Sequence, residues 1–83
     1  MKAYTFQLLK GTFSKEEAID LLTRMVDAKI KHHENKINDS DNEEDVKMRE
    51  KRIKQLQKDL YEARLNIGSR NGRAELNSEI SIQ

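Results

Sequence analysis

The sequence predicts a predominantly helical α+β fold: an antiparallel two-helix hairpin flanked by N- and C-terminal strands that pair, within a dimer. Three observations carry this expectation. Two long amphipathic segments of near-equal length follow one another. A wholly polar stretch, Asn38-Asp39-Ser40-Asp41-Asn42, separates them. A short segment of alternating apolar and polar residues lies outside each. The 83 residues make a single domain.

The first strand is expected over about 3–9. Tyr4, Phe6 and Leu8 alternate with Thr5 and Gln7, the period-two pattern of a half-buried strand built from β-favouring residues. Gly11 then permits a sharp turn. Ser14 and Glu17 stand in capping-box spacing: the serine oxygen takes the N3 amide and the glutamate reaches back to the cap. Phe13, just ahead of the cap, is placed to act as a hydrophobic staple.

The first helix is expected over about 15–37. At about 100° per residue, Ile19, Leu22, Val26, Ile30, His33 and Ile37 gather on one face. A second stripe holds Ala18, Leu21, Met25, Ala28 and His32. A helix in a simple hairpin needs one apolar face. Two adjacent faces imply two contacts, the second being the sheet or another subunit.

The second helix is expected over about 43–67, with Ser40 or Asp41 as its cap and Glu43 or Glu44 completing the box. Glu43, Glu44 and Asp45 sit where the helix dipole favours acids. Val46, Arg49, Ile53, Leu56, Leu60, Ala63 and Ile67 then recur at spacings of three and four, a narrow seam of coiled-coil type. Gly68 is suited to the C′ position, and Ser69-Arg70-Asn71-Gly72 turns the chain. Over 74–82, Ala74, Leu76, Ser78, Ile80 and Ile82 alternate with Glu75, Asn77, Glu79 and Ser81. This last strand runs antiparallel to the first if the two pair. Two strands alone are marginal, so a four-stranded sheet across a dimer is expected.

Composition narrows the function classes. Hydrophobic residues make up 35% and charged residues 37%, a polar balance for a chain that must build its own core. There is no cysteine to form a disulfide or a thiolate site. The net charge of +1 gives no overall pull toward nucleic acid or anionic membrane. No apolar run approaches the length of a membrane span, and the N-terminus lacks the pattern of a signal peptide. A cytoplasmic protein is the expectation.

Phe6-Gln-Leu-Leu-Lys-Gly11-Thr-Phe13-Ser14, followed by Glu17-Ala18 and by Lys29-Ile30 with His32-His33, resembles a group of small uncharacterised bacterial β-α-α-β proteins with no assigned activity. The likeness covers the first half of the chain by residues and the second half by helix pattern. It implies one compact fold and carries over no catalytic residue.

Candidate sites are few. Adjacent His32 and His33 point about 100° apart, whereas metal-binding helical histidines need spacings of three or four, so both read as packing or interface residues. Asp39, Asp41, Glu43 and Glu50 fall at positions one, three, five and twelve of a calcium-loop register, but Glu44 stands where that loop needs glycine. Capping accounts for the same acids. Lys47, Lys51, Lys54 and Lys58 form a basic stripe opposite the seam, a candidate partner surface, and Asp20, Asp27 and Glu34 form an acidic row on the first helix.

With no cysteine, no Gly-rich phosphate loop, only two serines in the structured turns and no concave pocket expected, neither an enzyme nor a cofactor is expected. The leading expectation is a non-enzymatic homodimeric interaction or scaffold module with Leu21, Met25, Ala28 and His32 in the dimer interface. The alternative is a nucleic-acid-associated regulator distantly like a ribbon-helix-helix protein. Over-long helices, a C-terminal strand and an outward strand face (Thr5, Gln7) only weakly suited to DNA, with Lys10 at its end, count against it.

Overall fold

The computed structural model describes residues 2–83. The element order is β1 (Tyr4–Phe13), α1 (Lys15–Asn38), α2 (Glu43–Gly68) and β2 (Ala74–Ile82). Among the described residues, β1 and β2 form one two-stranded antiparallel ribbon, and α1 and α2 form the hairpin.

The capping box opens α1 as the sequence predicts: Glu17 N–H donates to Ser14 Oγ at 3.1 Å, and Ser14 N–H donates to Glu17 Oε1 at 2.9 Å. Phe13 packs against the cluster that contains Ala18, four residues beyond the cap. The cap of α2 is Asn42, not Ser40 or Asp41. Its Oδ1 accepts from Glu44 N–H at 2.9 Å and Asp45 N–H at 3.2 Å. Asn42 directly precedes the first helical residue, the position from which a short side chain reaches both amides. Ser40 instead serves the turn, where its Oγ accepts from Asn42 N–H.

Gly68 is also corrected. It is the last residue of α2, not a left-handed C′. Ser69 follows in right-handed conformation (φ −83°, ψ −7°), with its N–H directed to the Leu65 and Ile67 carbonyls. Ser69 Oγ donates to the Asn66 carbonyl and Lys15 Nζ to the Gly68 carbonyl. These donors satisfy the helix end without a Schellman turn.

The largest departure lies in β1. It does not stop at Leu9 but runs on to Phe13, because β2 supplies partners throughout: Gly11 faces Leu76 and Phe13 faces Ala74. Gly11 therefore makes no turn; its φ of +155° is accommodated inside the strand. A β-bulge intervenes. Gln7 pairs with Glu79 and Leu9 with Ser78, which leaves Leu8 without a partner. The extra residue reverses the alternation. Tyr4 and Phe6 thus share a face with Leu9, Gly11 and Phe13, not with Leu8. Across the ribbon this face holds Ile82, Ile80, Ser78, Leu76 and Ala74.

The core is small. Ala18, Ile67 and Ala74 are buried, and Phe13, Ile19, Leu22 and Leu76 pack around them. They lie where the start of α1, the end of α2 and the near end of the ribbon meet. Among the described residues no large side chain is fully buried. The molecule is only 14 Å thick in its least dimension, so little more than one helix diameter separates its two faces.

Candidate functional site

The candidate site is a surface, and the ribbon defines it. One face of the ribbon changes environment along its length. At the near end Phe13, Ala74 and Leu76 sit on the helices. At the far end Tyr4 is 62% exposed, Ile82 54% and Phe6 39%. The register places all six on the same side. An open groove of about 370 Å³, lined in part by Leu22, Ala63, Ile67, Ala74 and Leu76, marks the junction of ribbon and hairpin.

The predicted interface row lies on α1 and begins at the ribbon. Ala18, which precedes it on the same stripe, is fully buried in the cluster with Ala74. Leu21 and Met25 further along are half-buried, and Ala28 and His32 are exposed. Their spacings of three and four keep them on one face of the helix. On α2 the seam residues Val46, Arg49, Ile53, Leu56, Leu60 and Ala63 are half-buried and Ile67 is buried. Tyr61 and Leu65, off the seam, are exposed beside Ile19.

His33 is the buried polar residue between the helices. Arg49 Nη1 donates to its Nδ1 at 3.1 Å, and Arg49 Nε donates to Asp45 Oδ2 at 3.3 Å. Because Nδ1 accepts, the imidazole proton sits on Nε2, which is buried with no partner. Burial pushes the His33 pKa down, and the positive charges of Lys29, Arg49, His32 and Arg52 add to the effect. A histidine whose folded pKa is lowered binds its proton more readily in the unfolded chain. Its contribution to stability is intact above the ordinary histidine range and is lost as pH falls through it. Glu17 behaves as a capping acid: hydrogen bonds from Ser14 hold its carboxyl below the usual range, so its contribution fades only at lower pH. The melting temperature is expected to drop between about pH 7 and pH 5. His33→Gln should flatten that segment. An equal slope in variant and wild type would show that His33 does not set it.

The remaining candidates are dispersed. His32 is exposed and His33 buried; their rings meet edge to face at 5.8 Å without converging on one point. Among the described residues no group of three His, Asp or Glu side chains gathers where a metal ion would sit. Asp39 is the C-cap of α1, while Glu43 and Glu50 lie in α2. Lys47, Lys51, Lys54 and Lys58 are all exposed, and among the described residues none is paired with an acid. Asp27 and Glu34 are exposed, and Asp20 pairs with Arg24 of its own helix at 3.0 Å. No helix among the described residues is long and apolar enough to cross a membrane.

The bare end of the ribbon is the feature that sequence reasoning missed. Its signal is present in the adjacent Leu8-Leu9, where strict alternation fails. A bulge there is what keeps Tyr4, Phe6 and Phe13 on one side.

Comparison with known protein families, with curated proteins and with solved structures finds no match.

Proposed function

We propose that this protein is a small non-enzymatic interaction module that acts as a cytoplasmic homodimer. The observation that carries this reading is the surface the single chain leaves in water. Its accessible area is 6853 Å², whereas a folded monomer of 9.7 kDa exposes about 5,100 Å². The excess of about 1,700 Å² per chain falls within the span of obligate dimer interfaces, about 1,000–2,500 Å² per partner. The radius of gyration agrees: 15.5 Å against about 12 Å for a compact chain of this length.

Leu21, Met25, Ala28 and His32 form the α1 part of the interface in this reading. A two-fold-related copy contributes the same row to the interface, as an isologous contact requires. The lysines at 47, 51, 54 and 58 remain outward in the dimer and form the surface for a further protein partner. The nucleic-acid alternative gains no specific support. β1 pairs with β2 of its own chain, and the net charge of +1 offers little counterion release.

Size-exclusion chromatography with light scattering tests the reading. A mass near twice 9.7 kDa is expected at tens of micromolar, an order-of-magnitude working range for a stable dimer. A monomer there removes it.

A further inference from the structure

Two apolar surfaces of this chain meet once and then run on beyond the contact, one largely exposed and one half-buried. One is the ribbon face, which packs on the helices through Phe13, Ala74 and Leu76 and continues bare through Phe6, Tyr4 and Ile82. The other is the α1 row, which lies in the ribbon contact at Ala18 and continues through Leu21 and Met25. The near end of the ribbon thus shows what this face accepts: small and aliphatic helix side chains of this sequence. The far end presents the same chemistry, and larger side chains, with Tyr4 and Ile82 more than half exposed and Ile80, opposite Phe6, half-buried.

We propose that the bare half of the ribbon is a docking arm for a second copy of this chain and closes over the partner's α1 row around its Leu21 and Met25. This deepens the homodimer reading and rests on it. A two-fold axis makes the exchange reciprocal. Each ribbon covers the other chain's helix, so the two contacts are equivalent and the assembly closes without exposing a new edge. The intermolecular contact repeats, further out on both elements, the ribbon-on-helix packing that already exists within the chain. Continuity of this kind distinguishes a second copy from an unrelated occupant, which would have no reason to match both surfaces. The acidic and basic rows fit the same assembly. They lie off the apolar surfaces and stay in water, where charge carries no desolvation cost.

Disulfide trapping tests the arrangement, because the native chain has no cysteine to confuse it. Chains carrying Ile82→Cys are mixed and re-equilibrated with chains carrying Met25→Cys, then oxidised mildly. A disulfide needs Cα atoms within about 7 Å. The expected main product joins position 25 of one chain to position 82 of the other, at a yield at least tenfold above either variant oxidised alone. A dominant 82–82 product would show ribbons pairing edge to edge, and a 25–25 product alone would show helices meeting without the arms. Either result overturns the arm exchange.

A second measurement does not depend on cysteine geometry. Phe6→Ser combined with Ile82→Ser leaves the Ala18–Ile67–Ala74 cluster untouched. It should raise the dimer dissociation constant at least tenfold while the helical circular-dichroism signal persists. An unchanged constant overturns the proposal. A wild-type chain that is monomeric by light scattering removes the homodimer reading and this one together. A wild-type dimer that fails both tests removes only the arm exchange.

Discussion

Ending the chain at Gly72 should abolish cooperative folding. The truncation removes all of β2 (Ala74–Ile82), and with it Ala74 of the three-residue buried cluster and Leu76 packed beside it. Each large aliphatic side chain lost from a buried site costs about 1.5–3 kcal/mol. A chain of this length has about 4–12 kcal/mol of stability in all, at 0.05–0.15 kcal/mol per residue. The backbone of β1 would also lose every ladder partner, leaving a ten-residue edge that invites aggregation. Thermal melts by circular dichroism should lose their single sigmoidal transition, and light scattering should rise. A truncated chain that melts like the full-length protein would place the ribbon outside the cooperative unit. The core would then reside in the helix seam alone.

Met25→Glu should drive the proposed homodimer to monomer. Met25 is half-buried on the α1 row, where a second copy would complete its burial. An unpaired carboxylate enclosed there costs about 2–5 kcal/mol of association energy, and at 1.4 kcal/mol per decade even the lower bound weakens the dimer about 30-fold. Light scattering across a dilution series reads the change directly. Because folding and association are linked in small obligate dimers, the melting temperature of the variant should also become lower and less dependent on concentration than that of wild type. A Met25→Glu chain that dimerises with unchanged affinity would show that this row lies outside the interface.

Much of the fold was legible because it rests on local chemistry. The Ser14–Glu17 box, the polar turn at 38–42 and the staggered apolar seam of α2 are encoded within a few residues of where they act. Their side chains reach only neighbouring backbone or the facing helix. His33 was also legible as a packing residue, since it continues the stripe of Ile19, Leu22, Val26 and Ile30. Its link to Arg49 was not, because the two are 16 positions apart in sequence. Asn42 was overlooked as a cap because several adjacent residues can perform that task. The choice among them depends on which one ends up next to the first helical amide.

Secondary structure, element order and the antiparallel sense of the strands followed from the sequence by itself, because periodicity and capping are properties of short segments. The tertiary structure decided the extent and phase of β1. A strand continues as long as its partner supplies hydrogen bonds, so Gly11 became part of the ladder instead of a turn. The unpaired Leu8 reversed the alternation and brought Tyr4, Phe6 and Phe13 to one face. Tertiary structure also decided how much of that face a single chain covers. A hairpin only two helices wide meets the ribbon at one end, and no pattern within either strand records where that contact stops.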